Sequence, residues 1–143
     1  MDVSNPRILI VEDSLVVAKF LEHYLTKGGF ELRIVETSQQ ALDLLPEFRP
    51  NALITDVVLC GGKSGLDLCR EIRGGGETAL SIIVMTSHSF DEAIEATADS
   101  AMEAGADAFL TKPISPVDLF RTLERLGVSS PKTSSRPSPR GLV

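Results

Sequence analysis

Ile8-Leu9-Ile10-Val11-Glu12-Asp13-Ser14 is the stretch that decides the fold. Four consecutive apolar residues, three of them β-branched, read as a strand buried on both faces, the condition of a strand in a parallel sheet covered by helices. Two acids follow at once, and then a helix over about Leu15 to Lys27. It places Val16, Phe20 and Tyr24 at helical spacing and stops at Gly28-Gly29, the pair expected at a C-cap.

The same pattern repeats outward. Glu31 to Val35 is a second strand, and Thr37-Ser38-Gln39-Gln40 is a capping box opening a helix to about Leu45, before Pro46. Ala52 to Thr55 is the third strand. Ser64-Gly65-Leu66-Asp67 opens the next helix, which Gly74-Gly75-Gly76 ends. Leu80 to Met85 follows as a strand. Ser89 with Glu92 is another capping box, and Phe90, Ile94, Ala98 and Met102 form one apolar stripe up to Gly105. After a short strand over Ala108 to Leu110, Ser115-Pro116-Val117-Asp118 starts a last helix that runs to about Leu126, before Gly127. Five βα units imply an α/β fold, a doubly wound five-stranded parallel sheet, since crossovers are right-handed and a barrel needs more units. Ligands of such sheets bind beyond the carboxyl ends of the strands, where strand order reverses.

Size and charge narrow the function. The 143 residues, 43% hydrophobic and 24% charged, suit one folded domain, assigned to residues 1–128. Residues 129–143 are rich in Ser and Pro, carry Lys132, Arg136 and Arg140 without an acid, and read as a disordered tail or linker. The net charge is −6, and residues 1–128 alone carry 11 basic and 20 acidic residues. So acidic a body repels phosphate backbones, which argues against nucleic acid or an anionic membrane as its ligand. Its longest apolar runs are strand-sized, far short of the roughly 20 residues of a bilayer span. With no signal-peptide pattern at Met1 to Pro6, and with only Cys60 and Cys69, the expected compartment is the cytoplasm, both thiols serving as inert packing.

The predicted strand ends carry the chemistry: Glu12-Asp13 after the first, Asp56 after the third, Thr86 at the fourth and Lys112 after the fifth. If the first and third strands are neighbours, about 4.8 Å apart, three carboxylates converge. Like charges so close raise pKa values or demand a cation, and an all-oxygen site suits Mg²⁺, with Lys112 supplying further positive charge.

These residues, with Asp56 closing Ala52-Leu53-Ile54-Thr55, Ile83-Val84-Met85-Thr86-Ser87, and Gly105-Ala106-Asp107-Ala108-Phe109-Leu110-Thr111-Lys112-Pro113, resemble the receiver domain of two-component response regulators over about residues 6 to 127. The resemblance implies a flavodoxin-like sheet in the order 2-1-3-4-5. It further implies that Asp56 accepts a phosphoryl group from a histidine kinase or histidine phosphotransfer protein. Asp13 and Asp56 would bind Mg²⁺ directly, Glu12 through water, and Val58 through its backbone carbonyl. Thr86 and Lys112 would meet the phosphoryl oxygens, and Lys112-Pro113 would be cis. Phe109 matches the switch aromatic, whose rotation with Thr86 would remodel the face of the fourth helix, fifth strand and fifth helix for a downstream protein target. Homodimerisation on phosphorylation is left open.

This chain departs from the family pattern in three places. Leu59-Cys60 stands where Met-Pro is usual, in a loop about one residue longer than the commonest form. The interval from Thr86 to Lys112 is about one helical turn longer. Val58 and His88 occupy positions that tune acyl-phosphate hydrolysis, and Val58 offers no polar group to orient water, so slow autodephosphorylation is expected.

Other readings fare worse. Gly62-Lys63-Ser64 between a strand and a helix suggests a phosphate-binding P-loop, but its first glycine falls at Val57. A dehalogenase-type phosphatase needs an acid at position 58, which is Val. A receiver fold serving as an unphosphorylated protein-binding scaffold is the surviving alternative. The chain is expected to be a stand-alone switch rather than an enzyme, turning over no external substrate.

Overall fold

Alternating side chains along each strand feed two separate cores, one on each face of the sheet. The computed structural model describes residues 5–59, 61, 63–87 and 91–131, apart from the side chains of 91–96. Its elements run β1 (Arg7–Val11), α1 (Leu15–Lys27), β2 (Glu31–Val35), α2 (Ser38–Phe48), β3 (Ala52–Asp56), α3 (Gly65–Gly74), β4 (Ser81–Thr86), α4 (Asp91–Ala104), β5 (Ala108–Thr111) and α5 (Pro116–Arg125). The strands are all parallel in the order β2-β1-β3-β4-β5. This is the flavodoxin-like arrangement expected from the sequence.

Ile8, Ile10, Ile54, Ile83 and Met85 pack with Leu21 and Leu25 of α1 and Leu119 and Leu123 of α5. Leu9, Val11, Leu53, Ile82 and Val84 belong to the other core, with Phe48 of α2, Leu68 and Ile72 of α3, and Ala101 and Ala104 of α4. Each buried Leu or Ile stabilises the fold by roughly 1.5–3 kcal/mol. At the sheet edge β2 turns Glu31 and Arg33 to solvent.

Side-chain caps start the helices where the sequence places them. Ser14, Thr37, Ser64 and Ser115 each accept a hydrogen bond from a backbone N–H three residues on, and Thr37 and Ser64 complete capping boxes with Gln40 and Asp67. The expected Ser89 cap lies outside the described residues.

Two boundaries differ from expectation. α2 does not stop before Pro46 but continues to Phe48. Buried Phe48 holds the last turn against the core, and Arg49, at φ +52°, donates its N–H to the Leu45 carbonyl. Arg7 from β1 then satisfies the helix's terminal carbonyls, with Nε 2.8 Å from the Phe48 oxygen and Nη2 2.8 Å from that of Arg49. The other difference is Ser130, which composition assigns to the tail but which is only 3% exposed, its hydroxyl donating to the Gly28 carbonyl. Residues 132–143 lie outside the described residues. Among the described residues no helix is long and apolar enough to cross a membrane.

Candidate functional site

Strand register assembles the site before any side chain is considered. Val11 pairs with Thr55, so Glu12 and Asp56 sit side by side where β1 and β3 end. Asp56 pairs with Met85 and Thr86 with Thr111, which brings Thr86 and the residue after Thr111, Lys112, to the same end of the sheet. Strand order reverses between β1 and β3, the position at which such sheets bind ligands.

Lys112 is the hub. Its Nζ lies 2.8 Å from Glu12 Oε1 and 2.8 Å from Asp56 Oδ2. Glu12 is 2% exposed and Asp56 9%, so each carboxylate needs this partner to offset its desolvation. Burial alone lowers the Lys112 pKa, yet hydrogen bonds and the charges of Asp56 and Glu12 outweigh it and hold the ammonium above its ordinary value. The other Glu12 oxygen, Oε2, accepts the Ser14 N–H at 2.9 Å. Val58, itself strongly exposed, donates its N–H to Asp56 Oδ1 at 3.4 Å.

Asp13 completes the acidic group from the exposed side. Carboxylate oxygens of Glu12, Asp13 and Asp56 all lie within 4.8 Å of one another. Three hard, anionic oxygen donors crowded at an open rim are a donor set that fits Mg²⁺. The structure therefore brings together the expected acids and lysine. Buried Thr86 stands beside them, its carbonyl accepting the Lys112 N–H at 2.7 Å. The Lys112-Pro113 bond is cis.

Phe109 lies on β5 opposite Val84, half-buried against the core that α2, α3 and α4 cover. With Leu110, Pro113, Ile114 and Asp118 it lines a surface groove between β5 and the start of α5. His88 and Cys60 lie outside the described residues. Cys69 is fully buried, and desolvation pushes its thiol up to about 11, in keeping with an inert packing role.

The sequence pattern gives Gly65 no role beyond its place in a capping box. A Cβ there would stand 1.9 Å from the Asp56 carbonyl oxygen, so only glycine lets α3 begin this close to the strand end. Its N–H donates to the Val57 carbonyl at 2.7 Å, and the Thr55 hydroxyl donates to the Asp56 carbonyl at 3.0 Å. Asp56 is thus fixed through its backbone as well as its carboxylate. The available signal was a poor helix former at the first helical position.

Known proteins share this arrangement. Residues 8–124 match the family described as the response regulator receiver domain. The chain is 34% identical to response regulator MprA of Mycobacterium tuberculosis over 120 residues, 84% of this chain and 50% of that protein. It spans about half the length of the curated relatives it matches. Among solved structures, the signal receiver domain of a signal transduction histidine kinase from Syntrophus aciditrophicus aligns with a TM-score of 0.72 at 31% identity, covering 94% of this chain and 98% of that one. A CheY-like response regulator receiver domain protein from Methanospirillum hungatei aligns at 0.71 and 27% identity, covering 87% and 95%.

Proposed function

The chain belongs to the response regulator receiver domain family, and on that premise we propose that Asp56 is the carboxylate which takes up a phosphoryl group from a phosphohistidine on a sensor kinase or phosphotransfer protein. The observation that carries this reading is the Lys112 ammonium held 2.8 Å from both Asp56 and Glu12 beside the exposed Asp13 carboxylate. An Asp56 oxygen attacks phosphorus, the P–N bond to the donor imidazole breaks, and the departing ring nitrogen regains a proton. The products are an aspartyl phosphate and a neutral histidine. Lys112 then pairs with the added negative charge, and Thr86 donates its hydroxyl to a phosphoryl oxygen.

Asp13 and Asp56 would hold Mg²⁺ directly, Glu12 through water, with the Val58 carbonyl completing the protein donors; bound there, the ion neutralises carboxylate and phosphoryl charge. Leu15 and Val16, at the first turn of α1, and Val58 are large apolar side chains exposed beside the acceptor. They offer a docking surface for a protein donor, whereas a small metabolite would have no use for it. The output is remodelling of the groove at Phe109, read by a downstream protein. The chain is a cytoplasmic switch, turning over no substrate beyond its own phosphoryl group. Val58 places no polar side chain where water could be oriented, so the aspartyl phosphate persists for minutes or longer.

Incubation with acetyl phosphate and Mg²⁺, followed by intact-mass measurement, tests the reading. Addition of one phosphoryl group to wild type and none to Asp56→Asn is expected. No addition, with beryllofluoride also leaving the amide spectrum unchanged, would overturn the switch and favour the scaffold.

A further inference from the structure

α1 touches the acidic site at one end and the chain beyond α5 at the other. At its N-terminus the Ser14 N–H is held by Glu12 Oε2, while Oε1 of the same carboxylate holds Lys112. Thirteen helical residues later, about 20 Å away at 1.5 Å per residue, Gly28 closes the helix. There its carbonyl accepts the Ser130 hydroxyl.

The end of α5 delivers Ser130 to that spot. Gly127 takes φ +85°, its N–H returns to the Glu124 carbonyl at 3.0 Å, and the Val128 N–H returns to that of Leu123 at 2.8 Å. This double closure reverses the chain and buries Val128 in the same core as Leu123. Phe120 of α5 covers the junction. A Cβ added to Gly28 would lie 2.7 Å from its Cε1 and 3.2 Å from Ser130 Oγ. α1, α5 and the segment after α5 therefore meet at one glycine, where a methyl group would have to push the Phe120 ring aside.

We propose that α1 acts as a rigid strut between Glu12 and Ser130, so that occupation of the acidic site alters the hold on the chain leaving the domain. The inference rests on the phospho-acceptor reading of Asp56. Charge arriving at Asp56 draws Lys112 away from Glu12 or competes for the Glu12 oxygens, and those oxygens fix the first turn of α1. The helix is clamped along its length by buried Ala18, Leu21 and Leu25, so it shifts as a body rather than bending. At Gly28 the bond from the Ser130 hydroxyl reads that shift, and hydrogen bonds weaken steeply as their geometry departs from linear. The path is separate from Phe109 and α4, which lie against the opposite core.

Amide NMR of the full chain during Mg²⁺ titration, then with beryllofluoride, tests the strut in wild type and Ser130→Ala. Val128 and Ser130 are expected to shift with the same midpoint as Asp13 and Asp56. By reciprocity of coupled sites, Ser130→Ala is expected to move that midpoint by roughly fivefold, although residue 130 lies far from the ion. Shifts at Asp13 and Asp56 with Val128 and Ser130 silent, and an unmoved midpoint, would overturn the strut and leave the phospho-acceptor reading intact. Silence at Asp13 and Asp56 would overturn both.

Discussion

The two ends of the sheet both gather charge, but they dispose of it differently. At the amino end, charged groups are spent on backbone. Arg7 donates to the carbonyls of Phe48 and Arg49, and Arg73 donates to the carbonyls of Gly105 and Glu77 and to Asp107 Oδ2. Asp107 Oδ2 in turn accepts the Ile82 N–H. At the carboxyl end, side-chain charges face one another: Lys112 pairs with Glu12 and Asp56, and Asp13 lies beside those two carboxylates. Charge matched to fixed backbone dipoles stabilises a fold and invites no ligand. Carboxylates crowded at an open rim lower stability and create affinity for a cation.

Removing Lys112 should break the contrast most severely. Lys112→Ala leaves Glu12 and Asp56 buried without a counter-charge, a loss of about 3 kcal/mol expected in urea denaturation without divalent cation. Mg²⁺ should restore part of it, and phosphoryl uptake should fail. Arg73→Ala is the matching cut at the other end. About 2 kcal/mol should go, because two carbonyls lose this donor and Asp107 keeps only the Ile82 N–H, while acetyl phosphate labels Asp56 as in wild type. If Arg73→Ala instead abolished labelling at unchanged stability, the division between the two ends would be wrong.

Alkaline titration separates the ends further. Cys69, one turn before Arg73, has its thiol raised by burial from 9.0 to about 11. The folded state therefore disfavours the thiolate, and stability should fall as pH rises from 9 to 11. Lys112 is also raised, so its contribution is complete below 10.5 and is lost only above that pH, as the elevated folded value is crossed. Melts from pH 8 to 11.5 should show the earlier fall disappear in Cys69→Ala and the later one in Lys112→Ala. The smallest effect concerns labelling kinetics. Iodoacetamide should modify Cys69 of the native protein only on opening, and somewhat faster in Arg73→Ala.

Local signals explain what could be read from the sequence. An apolar run followed at once by an acid or a lysine marks a strand end within a few residues, which is why Glu12, Asp13, Asp56, Thr86 and Lys112 were legible together with the five βα units. The start of α2 was equally plain in Thr37 and Gln40. Its end was not, because what carries the helix past Pro46 is Arg7, whose guanidinium reaches the Phe48 carbonyl from 41 residues away in sequence. The Arg73–Asp107 pair and the Ser130–Gly28 bond were hidden for the same reason, being contacts between distant residues that no local pattern announces. Gly65 lay in between, visible as an oddity at a helix start but interpretable only once Asp56 was seen beneath it.

Edge strand β2 carries a consequence of its own. A parallel sheet leaves unpaired backbone donors and acceptors along its rim, and an apolar rim would recruit strands from neighbouring copies into fibrils. β2 turns Glu31 and Arg33 outward, 3.8 Å apart, and any strand laid alongside it would have to strip water from both charges. Concentrated solutions of this protein should resist intermolecular β-assembly at that rim, and neutralising Glu31 and Arg33 together is the change that would most endanger its solubility.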